Sequence, residues 1–303
     1  MDSDVSKGRI TGQTISWFAN NLARSNAHCL YCGLELRPPA GVSSDKEHLI
    51  GRNFVPTGTM DGQSFQFLFR ACRSCNGRKA EAERHISSIT LVNGPGWKTD
   101  PKALNAAQRK SAGDFHPTKR GVRIKDAHEQ MEFKADFRGM SIGMGMVGPP
   151  QIHRPLLREL AISHVQGLFA LVTSRNYLES SGLRLLPEDQ LILHGYYTHN
   201  DWGHPHAREI GNRVRDWECL INVTSAQGYF RATMRRHDTD GWFWVLEWNK
   251  HLRVFGGIAN HPMALFENLP GENWMALPGG RIRSEVSLNP SDDIIFSGHV
   301  AGS

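Results

Sequence analysis

Two Cys-x-x-Cys pairs, CLYC at 29–32 and CRSC at 72–75, constrain this chain more than any other feature. Four thiolates drawn from two distant places can fill all four positions of one tetrahedral zinc ion. A closed site of that kind staples a small fold and does no chemistry itself. In a reducing compartment this spacing points to Zn2+ rather than to disulfides. Gly33, directly after the first pair, suits a tight turn around the ion. The fifth cysteine, Cys219 in WECLINV, lies in a β-type run and reads as a small apolar core residue.

Between the pairs lies SSDKEHLIGRNF, 43–54, in which an acid directly precedes a histidine, Glu47–His48; after the second pair comes CNGRK, with Asn76 next to the last cysteine and a lysine three residues on. Taken alone, a Glu-His pair is ordinary surface and Asn76 an ordinary helix-capping residue. In this order, CLYC, DKEHLI and CRSCNGRK resemble the HNH, or His-metal finger, endonucleases, in their zinc-containing, endonuclease VII-like branch. The resemblance covers about residues 28–85. It implies a small zinc-stapled ββα-metal nuclease domain in which Glu47 and Asn76 hold a catalytic Mg2+ or Mn2+ and His48 is the general base. It also implies hydrolysis of nucleic acid, DNA being the expected substrate, to 3′-hydroxyl and 5′-phosphate ends.

The chemistry suits those roles. Hard oxygen donors such as a carboxylate and an amide match Mg2+ or Mn2+, which neutralise charge growing on the leaving oxygen. A histidine of ordinary pKa is neutral at working pH and can take a proton from water. Zinc would pin the start of the helix, and with it Asn76, beside the strand end that carries Glu47 and His48. The sequence departs from the family pattern in using Glu47 where Asp is commoner, and in lacking a middle Asn before the second pair, where it reads SFQFLFRAC. Successive residues of a regular strand face opposite ways, so Glu47 and His48 converge only at a strand end or a bulge. Arg52, Arg73, Arg78 and Lys79 are candidates to grip phosphates; each on its own reads equally as a solvated charge. His85 reads as a surface or packing residue.

The charge pattern agrees with a polyanionic partner. Residues 101–125 hold seven Lys/Arg against one Asp/Glu, whereas residues 126–303 hold 16 against 20. The expected organisation is an HNH nuclease domain over 1–100, a basic connector over 101–150 and an α+β domain with an antiparallel sheet over 151–303. Residues 10–25 read as an amphipathic helix on Ile15, Phe18 and Leu22. RPLLRELAISHVQGLFALV reads as a core helix, with Leu156, Leu157, Leu160, Ala161, His164, Val165, Leu168, Phe169 and Val172 following the 3.6-residue period. QLILHGYYTH, WECLINVTS, GYFRATMRRH, WFWVLEW and HLRVFGGI read as strands, the last four a meander. GWFWVLEW should place Trp242, Trp244, Leu246 and Trp248 on one face and Phe243, Val245 and Glu247 on the other. Arg231, Arg235 and Arg236 read as a solvated strand face. His194, His199, His204 and His206 fall in what reads as a hairpin loop, with a second metal site the less favoured alternative.

The chain has no basic-then-apolar leader and no apolar run near the roughly 20 residues that span a bilayer, so a cytoplasmic protein without a membrane is expected. Homodimerisation would serve cutting of both strands, and restriction or anti-phage defence is a setting for such a nuclease. Two rival functions stay open: a zinc-stapled nucleic-acid-binding protein without catalysis, and a nuclease effector gated by a ligand sensed in the C-terminal domain.

Overall fold

The computed structural model describes residues 10–11, 26–37, 41–60, 66–93, 100–138, 140–148, 151–174, 182–239, 241–272, 274–277 and 280–296, and its architecture is α+β. Strand β1 (Ile10–Thr11) pairs in parallel with a strand of the second half. Ile10 and Thr11 are therefore extended rather than helical, and residues 12–25 of the expected helix lie outside the described residues. Strands β2 (Ser44–His48) and β3 (Leu68–Cys72) form an antiparallel ribbon in regular register, Ser44 opposite Cys72 and His48 opposite Leu68. Helix α1 (Arg73–Asn93) springs directly from β3.

Helix α1 buries Ala82, Ile86 and Ile89, but also Ser87, Ser88 and Thr90. These hydroxyls are satisfied locally, each donating to a carbonyl one turn back at 2.8–3.1 Å. The stretch 101–150, expected as a connector, builds helix α2 (Pro101–Gly113) and a ribbon of β4 (Glu129–Phe137) and β5 (Met140–Gly148). Asp100 caps α2 by accepting from the Lys102 N–H at 2.9 Å, and Pro101 opens the helix. Ala103, Ala106 and Ala107 then form the stripe that packs α2 on α1.

Helix α3 (Arg154–Thr173) is the core helix expected, with Leu157, Leu160, Ala161, His164, Val165 and Leu168 buried, while Leu156, Phe169 and Val172 of the expected set are half-buried against the core. Its length and composition would also suit a membrane span, yet 61% of that window is buried within the fold. Strand β6 (Leu191–Thr198) leads to helix α4 (Pro205–Arg213), so the histidine-rich stretch expected as a hairpin loop is partly helical. There follow β7 (Glu218–Ser225), β8 (Phe230–His237), β9 (Gly241–Trp248) and β10 (Leu252–Ile258), the expected meander. The six-stranded sheet runs β1-β7-β8-β9-β10-β6, and β11 (Trp274–Leu277) with β12 (Gly280–Arg283) makes a final ribbon. Asn249 and Lys250, both at φ 54°, form the mirror-image turn between β9 and β10, closed by the His251 N–H on the Trp248 carbonyl at 3.0 Å.

The alternation in β9 sorts two cores. Trp244, Leu246 and Trp248 join an apolar cluster that runs through α3 and α2 to Leu49, Phe54 and Cys29. Phe243 and Val245 join another with α4, Ile295 and Phe296. The first hundred residues and the sheet therefore share one interior. Glu247 lies on the second face, where buried Arg253 holds it at 2.9 Å and Asp293 at 2.6 Å. Arg231 pairs with the same two acids at 3.4 and 3.5 Å. Arg235, 3% exposed, donates to the carbonyls of Val214, Arg215 and Ile295. Two of the three arginines expected in solvent are thus internal cross-links, and Arg236 alone stays exposed, on Glu218.

Candidate metal centre and active-site cleft

The four expected cysteines meet. Gly33, at φ 74°, turns the chain after the first pair, its N–H donating to the Cys29 carbonyl at 2.8 Å. Cys72 ends β3 and Cys75 lies in the first turn of α1, where its N–H points to the Cys72 sulfur at 3.5 Å. The sulfurs of Cys29, Cys32, Cys72 and Cys75 all lie within 4.8 Å of one another and could hold a metal ion. Cys29, Cys72 and Cys75 are buried and Cys32 is exposed. Contact with the Cys75 thiol holds Cys29 down to about 5, while burial pushes Cys32 up to about 11. The cluster thus favours an anionic sulfur.

His48 ends β2, and Asn76 lies on α1 one turn after β3 delivers the chain. Both line one cleft of about 660 Å3, with Glu47, Glu83, Arg52 and Arg84. Asn76, Ala80, Glu83 and Arg84 follow the helical repeat, so one face of α1 forms a wall. The His48 Nε2 is buried without a hydrogen-bond partner. Burial, then the charges of Arg52, Lys46 and Lys79, pushes this imidazole down to about 4, so it is neutral at physiological pH.

Glu47 and His48 sit in regular pairing, and the strand sends their side chains apart. The Glu47 carboxylate turns inward, where its Oε1 meets Lys79 Nζ at 2.7 Å and the Tyr31 hydroxyl at 3.3 Å. Lys79, 1% exposed, also donates to Glu83 Oε1 at 2.7 Å and to the His48 carbonyl at 3.0 Å. All three ammonium donors are used, so Lys79 anchors protein oxygens and has none left for a phosphate. Glu83 further accepts from the Gly51 N–H at 2.8 Å and lies 3.8 Å from His164 Nε2 of α3. Burial alone would raise the Glu83 carboxyl; Lys79 and His164 hold it down at about 2. Burial pushes His164 itself down to about 4.

Among the other expected phosphate contacts, Arg52 is exposed on the cleft. Arg73 lies 3.6 Å from Asp45, and Arg78 donates to Glu159, Ser74 and the Cys75 sulfur, so neither lines it. Lys46, Arg84, Arg109 and Lys110 do line it. The sequence carried a trace of the last two in the basic excess over 101–125. His85, 3% exposed, accepts from the His153 N–H at 2.9 Å and is a packing residue.

Of the four histidines in 193–206, three gather, with the His206 ring 6.3 Å from that of His194 and 4.6 Å from that of His204. The Nδ1 of His199 faces that of His251 at 2.9 Å, and His194 stacks on Phe266. His204 and His206 have donor atoms within 4.8 Å of each other and of a Glu272 oxygen, a grouping that could hold a metal ion. However, His204 Nδ1 caps α4, accepting from the His206 N–H at 3.1 Å, which in a neutral ring leaves the proton on Nε2. The trio is therefore built first as a helix cap. Compared with known proteins, the chain matches no family model, and neither a curated protein nor a solved structure is similar to it.

Proposed function

We propose that this chain is a metal-dependent endonuclease of HNH type, hydrolysing phosphodiester bonds of nucleic acid, with DNA the first substrate to try. The carrying observation is that His48 and Asn76, from separate elements, line one cation-rich cleft in a chain that also gathers four cysteine sulfurs. Zinc suits the cluster: a tetrahedron with metal–sulfur bonds of about 2.3 Å has edges near 3.8 Å, and Cys32 and Cys72 sulfurs are 3.8 Å apart.

The neutral His48 imidazole, on a residue that lines the cleft, is the group that would accept a proton from a water placed for attack on phosphorus. Asn76 would offer an oxygen to Mg2+ or Mn2+, and the Glu47 carboxylate would join it on giving up Lys79. Such an ion, when bound, supplies charge neutralisation at the leaving oxygen. Lys79 fixes Glu47 and the His48 carbonyl together, which keeps the end of β2 in one place relative to α1. Arg52, Arg84 and Lys46 at the rim attract the phosphate backbone.

Nicking of supercoiled plasmid in Mg2+ or Mn2+, comparing wild type with His48→Ala, tests this. Cutting by the first and its loss in the second supports the reading; equal cutting removes His48 from the mechanism. One observation favours a second reading: the Lys79 ammonium already stands 2.7 Å from Glu47, where a catalytic cation would compete with it. A zinc-stapled binding protein without catalysis would keep binding DNA when Mg2+ is withdrawn and would show no nicking with any divalent ion.

A further inference from the structure

We infer that helix α2, with the hairpin that follows it, forms the second wall of a nucleic-acid track, carrying a polymer's backbone out of the His48 cleft. This rests on the nuclease reading for its substrate class, but its geometry is independent of catalysis. Arg109 and Lys110, near the end of α2, line the same cleft as Asn76 and Arg84 of α1. Arg109 is exposed; Lys110 is partly buried, its Nζ on the Ser87 hydroxyl at 2.8 Å. Asp114, at the cleft's edge, hands the chain to a hairpin in which Phe115 bridges Arg123 and the Ile124 N–H returns to the Asp114 carbonyl at 2.9 Å.

That hairpin carries Lys119, Arg120, Arg123 and Lys125, with Arg120 and Lys125 exposed. The cleft-lining Asp114 is thus bonded to the base of a hairpin that adds further exposed cations. A mononucleotide would use only the cleft, whereas a chain of phosphates spaced along a strand can meet the hairpin too. Each phosphate neutralised releases counterion, so the track's length is readable as a salt slope. The acids on the cleft are already engaged: Glu47 and Glu83 hold Lys79, and Asp114, largely buried, accepts from Ser88 and lies 3.8 Å from the exposed Arg84.

The experiment measures binding of a fluorescent 30-nucleotide duplex DNA by full-length, zinc-loaded His48→Ala protein, by anisotropy across salt concentration in Ca2+ buffer. Arg109→Ala and Arg120→Ala, added singly, should each weaken binding several-fold and flatten the log–log salt slope by about 1. Arg158→Ala on α3, which removes an exposed cation paired with Glu188 at 2.7 Å away from the cleft, should leave the slope unchanged. Unchanged slopes for Arg109→Ala and Arg120→Ala, equal flattening by Arg158→Ala, or no DNA binding would each overturn the track. The nuclease reading is judged apart, by nicking with wild type: a protein that binds with these slopes and never nicks keeps the track and loses the catalysis.

Discussion

Lys79 Nζ stands 2.7 Å from a Glu47 oxygen and 2.7 Å from a Glu83 oxygen, with the lysine 1% exposed. One ammonium thus neutralises two buried carboxylates that come from different parts of the chain. Removing it leaves both uncompensated, so Lys79→Met should cost about 3–5 kcal/mol. Adding Glu47→Gln and Glu83→Gln to that variant should recover much of the loss. Urea denaturation midpoints of the single and triple variants measure both effects.

The sulfur cluster leads to a stoichiometric expectation. Purified protein should carry one zinc per chain by elemental analysis, and Cys72→Ser should carry none. Because Cys72 closes the ribbon and Cys75 opens α1, loss of the ion should unpin both elements. Chelation of wild type should therefore abolish near-ultraviolet circular dichroism from the first hundred residues' aromatics, restored on adding zinc.

His48→Ala should lower nicking by roughly 100- to 10,000-fold, the range of a lost general base. The imidazole is only partly buried and Nε2 has no partner, so the fold should survive. Asn76→Ala should also lose nicking, with its thermal midpoint close to wild type. Single-turnover cleavage together with circular dichroism separates these effects from unfolding.

Acid should destabilise the protein in a defined window. His164 and His251 are both held down to about 4 by burial, against about 6.5 when unfolded. Above 6.5 neither state binds the proton and the full stability is present. Between 6.5 and 4 the unfolded chain takes protons that the folded chain refuses, and stability falls by about 1.4 kcal/mol per pH unit for each histidine. Below 4 the folded state titrates as well and this loss levels off. Glu83, held at about 2, adds a second loss below the ordinary carboxylate range. Urea titrations at pH 8, 6 and 4.5 should give the first slope, and His164→Gln should make it shallower.

The sequence told most about the elements whose pattern is local. Alternation in GWFWVLEW placed Trp244 and Trp248 opposite Phe243 and Val245, and the repeat in 154–173 placed the inner face of α3. The cysteine frame was legible because thiolate spacing is a strong chemical signal. Lys79 was not, because a Lys and Glu four apart on a helix are usually a surface pair; α3 packing over α1 makes this one internal. Helix α2 was hidden by its charge, although Ala103, Ala106 and Ala107 behind Asp100–Pro101 were a readable stripe and cap. Arg231 and Arg235 looked like solvent-facing charges because their acceptors, acids and carbonyls far along the chain, leave no periodic trace.

Gly167 on α3 approaches so closely that a Cβ there would lie 2.4 Å from a Leu49 methyl, just past His48. Grafting residues 26–93 into another protein would strip that cover and wet Leu49, Phe54 and Glu83 together. What looks like a portable cassette on paper is one half of a joint, and transplanting it calls for carrying its other half along.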